Sequence, residues 1–140
     1  MGSVFTRIIE GELPGRFVWS DERCVAFLSI NPIRAGHTLV VPRQEVDHWL
    51  DLDLDLAAHL TAVSRSIGKA IQKGFDPSRV GLVIAGLEVP HVHFHLLQVD
   101  DLQDLNFENA VQDPDPAELN EAAEAIRRAL EELGFRQVAR

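Results

Sequence analysis

One cysteine, Cys24, is all the thiol this 140-residue chain has, so no internal disulfide can form and nothing argues for an oxidising compartment. Its setting, Cys24-Val25-Ala26-Phe27-Leu28, is apolar, and the thiol is expected to be a small buried core group. No apolar run approaches the roughly 18 residues that a membrane helix needs. Met1-Gly2-Ser3-Val4-Phe5-Thr6-Arg7 also lacks the apolar core of a signal peptide, and the expectation is a cytoplasmic protein without a membrane partner. Basic charge is scarce: 13 Lys and Arg stand against 22 Asp and Glu, a net charge of −9. The basic residues are scattered, which argues against a nucleic-acid backbone as partner, because such binding needs clustered lysine and arginine. An anionic small molecule remains compatible with a locally positive site or one rich in backbone N–H groups. Glycine patterns that cradle phosphates are missing too, since Gly81 and Gly86 stand alone. There are no internal repeats and no low-complexity tract. With 46% hydrophobic residues, the length predicts a single domain over 1–140 with a real core.

What the chain does have is histidine in register. Pro90-His91-Val92-His93-Phe94-His95-Leu96-Leu97 places three of the six histidines on alternate residues. Strict alternation predicts a β-strand with His91, His93 and His95 on one face and Val92, Phe94 and Leu96 on the other, in a core. Three readings of the trio stand side by side. The rings can be hydrogen-bonded structural residues, each needing partners and each able to charge near neutral pH. Two of them can bind a zinc ion, with a third ligand from elsewhere, such as His37 or Glu88. Or a neutral imidazole, held through its far nitrogen, can attack an electrophile such as phosphorus while its neighbours supply orientation and protons.

The rest of the chain frames that strand. Phe5, Ile8 and Ile9 suggest one or two helical turns closed by Gly11 and Pro14-Gly15. Phe17-Val18-Trp19 and the Cys24 to Leu28 run predict a hairpin around Ser20-Asp21-Glu22-Arg23. After the turn residues Asn31-Pro32-Ile33-Arg34-Ala35-Gly36, the segment His37-Thr38-Leu39-Val40-Val41 reads as a strand with a histidine at its mouth. Leu56, Leu60, Val63, Ile67, Ala70 and Ile71 recur at threes and fours, a long amphipathic helix over 55–73 with Gly74 as its cap. His59 and His48 are expected to be surface or packing residues. Arg79 to Ala85, apolar on both faces, predicts a central or well-covered strand paired antiparallel with the histidine strand. The acidic, proline-broken stretch 100–116 predicts a surface loop. Asp115 then caps a helix beginning at Pro116, with Leu119, Ala122, Ala123, Ile126, Leu130 and Leu133 inward and Gly134 at its end.

His91 to Leu97 resembles, position for position, the signature of the histidine triad family of nucleotide hydrolases and transferases, and is most similar to its bacterial Hint-like branch. Ile8-Ile9-Glu10-Gly11-Glu12-Leu13-Pro14 looks like the family's opening, and Ala26 to Pro32 followed by Gly36 to Pro42 looks like its N-terminal half. The likeness runs in order from about Val4 to Val99. It implies an α+β, two-layer fold with an antiparallel sheet of about five strands, one long helix and a C-terminal helix, usually as a homodimer. It implies a nucleoside 5′-phosphate derivative as substrate, such as an AMP phosphoramidate or acyl-AMP, and no cofactor. Within it His93 would attack the α-phosphorus and form a covalent nucleotidyl-histidine. His95 and His37 would contact the phosphate or steady the nucleophile, and His91 would assist through hydrogen bonding. Phe27 and the backbone at Ile30 would lie along the nucleoside. Ser29 stands where relatives carry an acidic or amide residue for the ribose hydroxyls, and Glu88 stands in a shortened loop before the triad. Many bacterial relatives hold a structural zinc with Cys-x-x-Cys and a later histidine. Here Ser3, Thr6 and Glu45 occupy those places, so no metal is expected. Diadenosine polyphosphate cleavage and nucleotide binding with weak catalysis are the alternative functions.

Overall fold

The computed structural model describes residues 2–140, and its elements follow the expected order. A short helix α1 (Val4–Ile9) leads into a hairpin of β1 (Phe17–Ser20) and β2 (Cys24–Leu28). Then come β3 (Thr38–Pro42), the long helix α2 (Leu54–Phe75), β4 (Arg79–Val83), β5 (Phe94–Val99) and α3 (Pro116–Glu132). The five strands form one antiparallel sheet in the order β1-β2-β3-β5-β4, the α+β fold expected from the sequence.

The two faces of the sheet do different things. Val18, Ala26, Val40, Phe94 and Leu96 project toward α2 and α3, whose Leu60, Val63, Ile67, Ile71, Ala123, Ile126 and Leu130 complete the main core. Burying each such large aliphatic side chain contributes about 1.5–3 kcal/mol. The opposite face carries Val25, Phe27, Leu39 and Val41, covered by Phe5 of α1 with Ile8 and Phe17 at its rim. Because both faces are covered, every residue of β2 and β3 is buried and the strands read as continuous apolar runs.

Local chemistry sets the ends. Asp115 caps α3 as expected, its carboxylate accepting the Ala117 N–H at 2.9 Å, with Pro116 at the first position. Gly134 follows with φ +90. Leu133, expected on the buried stripe, lies past the last turn and is exposed. The long helix also outruns its expected stop: Gly74 lies inside α2, and Asp76 takes the left-handed position (φ 52) that ends it. In the hairpin, Asp21 accepts the N–H groups of Arg23 and Cys24, both at 2.8 Å, and its other oxygen receives Trp19 Nε1 and pairs with His59 Nε2, also at 2.8 Å. Burial alone would raise this carboxyl, but those hydrogen bonds hold it well below the usual carboxylate range. His59 is thus a structural partner and His48 a cap, its Nδ1 accepting the Leu50 N–H.

Two expectations need correction. Arg79 to Ala85 is not a central strand: β4 is the sheet edge, and Leu82 on it is 48% exposed. Val80 packs toward α2 and Leu105 lies over Gly81, so its faces are partly covered and what is open is its outer edge. The histidine stretch is only half strand, because β5 begins at Phe94. Pro90 has no N–H, His91 N–H turns back to Val89 O (2.8 Å) and Val92 N–H goes to Val46 O (2.7 Å), so the first residues leave the ladder. The alternation of faces nevertheless survives. The acidic stretch after Val99 does lie on the surface as expected, ordered into two 3-10 turns, Leu102–Leu105 and Phe107–Asn109, beside the loop before His37.

Candidate functional site

The site grows from the α1 side of the sheet. Cross-strand pairing lines up Phe17, Phe27, Leu39 and His95 in one row. Just before β5, His93 packs edge-to-face between Phe5 (ring centroids 4.9 Å apart) and His95 (4.8 Å). His37 enters from the mouth of β3, its ring in contact with that of His95. These three histidines, with Phe27, Ser29, Ile30 and Glu88, border one cavity of about 430 Å³. Seven of the eight residues singled out in the sequence therefore meet there. His91 is the exception, fully buried with its ring turned toward α1.

Hydrogen bonds fix the protons on the rings, because a carbonyl only accepts and a backbone N–H only donates. His93 Nδ1 lies 2.8 Å from the carbonyl oxygen of His91, so Nδ1 carries the hydrogen and the neutral ring keeps its lone pair on Nε2. His37 Nδ1 accepts the Ile33 N–H at 3.1 Å, so its hydrogen is on Nε2, which donates to His95 Nδ1 at 2.9 Å. The hydrogen of His95 is then on its own Nε2. One ring bordering the cavity thus has a free lone pair, and its neighbour a free donor.

Burial keeps these rings neutral. It lowers His37 to about 4 and His95 to about 3, with the adjacent imidazoles adding repulsion to any charge. His93 is lowered as well, first by burial, while the His91 carbonyl and the Glu88 carboxylate act in the opposite direction. The Glu88 carboxylate thus presents a field that favours positive charge on His93.

His91 acts from behind. Its Nε2–H donates to Pro42 O at 2.7 Å, which makes Nδ1 an acceptor, and the Ser3 hydroxyl donates to it at 2.7 Å. Ser3 Oγ in turn accepts the Thr6 N–H (3.1 Å), while Ser3 N–H and the Thr6 hydroxyl both reach Glu45 Oε1 at 2.7 Å. This clasp joins α1, the β3–α2 loop and the backbone carbonyl that orients His93. Ser29 receives the Asn31 N–H at 3.2 Å, and Ile30, 68% exposed, stands at the cavity mouth.

Comparison with known proteins agrees with this fold. The model of the HIT domain matches residues 10–102, about two thirds of the chain. The chain belongs to the HIT family. A HIT-like protein of Methanocaldococcus jannaschii is 38% identical over 98 residues, covering 67% of this chain and 76% of that one. The Bacillus subtilis protein named hit is 31% identical, covering 67% and 68%. Among solved structures, a zinc-bound histidine triad family protein from Mycobacterium smegmatis superposes with a TM-score of 0.80 at 28% identity, over 93% and 94% of the two chains. A histidine triad nucleotide-binding protein from Sulfolobus tokodaii gives 0.81 at 25% identity, covering 93% of each.

Sequence reasoning missed three parts of the HIT site. Phe5 was assigned only to helix packing, although it is the wall against His93. The Ser3–Thr6–Glu45 clasp sits at the places the resemblance gave to a structural zinc, but its hydrogen bond to His91 was not foreseen, being assembled from residues far apart in sequence. Phe107, with its ring 4.8 Å from that of His95, did leave one: it is an isolated aromatic in an acidic run. No helix among the described residues is long and apolar enough to cross a membrane.

Proposed function

We propose that this HIT protein is a nucleotidyl hydrolase or transferase acting on a nucleoside 5′-monophosphate derivative, with His93 as nucleophile. One observation carries the reading: the Nδ1–H of His93 is held by the His91 carbonyl, leaving Nε2 unprotonated in a ring that borders the cavity. Attack by that lone pair on the α-phosphorus forms an N–P bond as the bond to the leaving group breaks. The electron pair departs with the leaving group, which takes up a proton. The modified ring is cationic, and its charge is met by the His91 carbonyl and the nearby Glu88 carboxylate. His95 Nε2–H is a donor for the phosphoryl oxygens as charge gathers on them, with His37 holding its tautomer. Water then attacks phosphorus, breaks the N–P bond and returns the lone pair to His93. The nucleoside is assigned to the wall of Phe5, Phe27 and Ile30.

The lining of the cavity favours a leaving group without a phosphate chain. Among its described residues there is no lysine or arginine, and Glu88 is the one acid. A polyphosphate would meet no cation there, which argues against diadenosine polyphosphates. Incubation with adenosine 5′-phosphoramidate is expected to release AMP through a transient nucleotidyl adduct seen by intact mass. His93→Ala is expected to show neither, and equal rates for the two proteins would overturn the assignment.

The zinc-bound relative raises the question of a metal here. Around His91 the other groups are two hydroxyls and one carboxylate, and the imidazole nitrogen that faces them already accepts the Ser3 hydroxyl. Hydroxyls are poor zinc ligands beside thiolate and imidazole, so these residues do not fit the ion. Elemental analysis giving one zinc per chain would contradict that. Finally, we assign a second copy of the chain to the open edge at β4. The other edge is already covered, since Val138 bridges to Trp19 and Ala139 N–H bonds Val18 O at 3.0 Å.

A further inference from the structure

The segment that follows the family match is built into the cavity. Its start is tied to the Asn31–Ala35 loop by Arg34, which donates to Asp104 at 2.7 Å and to Asp100 at 3.0 Å. Its end is tied to the same loop, with Val111 N–H bonded to Pro32 O at 2.9 Å and Asn31 Nδ2 to Val111 O at 3.1 Å. Between the anchors, Asp101 and Asn106 cap the two 3-10 turns, and Asn109 Nδ2 reaches Gln103 O at 2.9 Å. So many fixed ends hold the middle of the segment in one place. At that place the Phe107 ring meets His95 edge-on at 4.8 Å, and Phe107, Ala110 and Gln112 border the cavity beside the histidines.

Phe107 is 40% exposed, with its ring against those of His95 and His37. The cavity thus has two aromatic ends. Phe5 and Phe27 lie beyond His93, and Phe107 lies beyond His95, in the sequence Phe5, His93, His95, Phe107 at centroid steps of 4.9, 4.8 and 4.8 Å. With phosphorus bonded at His93 and the nucleoside at the Phe27 end, the group that departs has the Phe107 end.

We infer that residues 107–112 form a leaving-group subsite, with Phe107 as its specificity-determining contact, and that the subsite takes an uncharged or cationic organic group with an apolar body. The phenyl face supplies flat apolar area, Ala110 leaves room, and the Gln112 amide offers one polar contact. Arg34 lends the subsite no positive charge, being spent on Asp100 and Asp104. Buried further by the ligand, Phe107 distinguishes a bulky apolar amine from ammonia.

The inference rests on the proposed function, and its test separates the two. Adenosine 5′-phosphoramidate and its N-(2-phenylethyl) derivative share nucleoside and phosphorus and differ only in what leaves. The readout is the ratio of kcat/KM for the phenylethyl compound to that for the parent, in the wild type, Phe107→Ala and Phe107→Leu. Phe107→Ala is expected to lower this ratio about tenfold, mostly through KM, and Phe107→Leu about threefold, as apolar area is lost in steps. Ala110→Phe, which fills the space and removes no core contact, is expected to lower it as well. A ratio unchanged within twofold in all three variants overturns the subsite. If the wild type turns over neither compound, the proposed function fails, and the same variants are read by equilibrium binding of the two compounds. A tenfold change in the ratio of dissociation constants then still supports the subsite, and no change removes it.

Discussion

Removing the Ser3 hydroxyl should loosen the nucleophile from a distance, and the size of the effect follows from the hydrogen bonds. In Ser3→Ala the His91 Nδ1 loses its near donor and keeps only the Thr6 hydroxyl at 3.4 Å, whose hydrogen is committed to Glu45, and His91 is fully buried. A buried polar atom left without a partner costs about 1–3 kcal/mol. The same oxygen accepts the Thr6 N–H at the start of α1, and losing such a cap costs about 1 kcal/mol. Together they predict a loss of about 3 kcal/mol. At about 2.1 cal/mol/K of unfolding entropy per residue, a chain of 140 residues has about 0.3 kcal/mol/K, so Tm should fall by about 10 °C. Catalytically the His91 carbonyl should hold His93 less firmly, so kcat for the phosphoramidate should drop about tenfold while KM changes little. Ser3→Thr keeps the hydroxyl and should restore both. Calorimetry and steady-state kinetics on the two variants provide the check. A Ser3→Ala protein melting within 3 °C of the wild type, or a Ser3→Thr protein as impaired as the alanine variant, would refute the reasoning. So would simple additivity in the double variant with His91→Phe, where groups in direct contact should couple by about 1 kcal/mol or more.

Two further outcomes follow from the same structure. The site histidines are held neutral, with His37 at about 4 and His95 at about 3, both below the value of about 6.5 for a free imidazole. The unfolded chain then binds more protons than the folded one below pH 6.5, so their stabilisation is complete above that value and is lost as the pH falls toward 4. The depressed carboxylates Asp21 and Asp100 act only below their unfolded value near 3.9, so a fall in urea midpoint between pH 7 and 5 reports the imidazoles, and a flat profile there would contradict their burial. For the edge at β4, light scattering is expected to give twice the chain mass, and Leu82→Lys, which puts charge on the exposed edge, is expected to shift the mass toward the monomer. A wild-type chain that remains monomeric at high micromolar concentration would remove the edge-pairing proposal.

Much of this arrangement could be read from residue order alone, and the parts that could not share a physical cause. Alternation at 91–97 gave the faces of the histidines correctly, because a period of two is a property of the backbone wherever it is extended. It could not show that the backbone leaves the sheet before Phe94, since that depends on Val46 O as a tertiary partner for Val92 N–H. Arg79 to Ala85 was misread as central because an apolar strand looks the same whether a neighbour covers it or its edge is left open. The stop of α2 at Asp76 rather than Gly74 reflects two competing residues that both tolerate the left-handed region. Phe107 left the sign of a lone aromatic in an acidic run, but its place beside His95 was out of reach for another reason. Its segment is held by Arg34, Asn31 and Pro32, about seventy residues earlier, and charge composition says only that such a stretch is polar.

The deeper point about the histidines is that four similar side chains are set to different tasks in the proposed chemistry without any difference in their own chemistry. Each ring has two nitrogens, and in each case the protein commits one of them to a partner that permits a single proton arrangement. A carbonyl takes the Nδ1 hydrogen of His93 and so frees its Nε2 lone pair. A backbone N–H at Ile33 occupies His37 Nδ1, and the proton order passes on to His95, which ends as a donor. Pro42 O does the same for His91 and turns it into an acceptor for Ser3, out of the cavity altogether. Since burial keeps all four rings uncharged, no proton is available to scramble the order at neutral pH. The alternating sequence supplies the imidazoles, but their proton arrangement is set by three backbone groups, those of Ile33, Pro42 and His91. A substitution that leaves every histidine in place can therefore still disable the proposed nucleophile by changing what its far nitrogen meets.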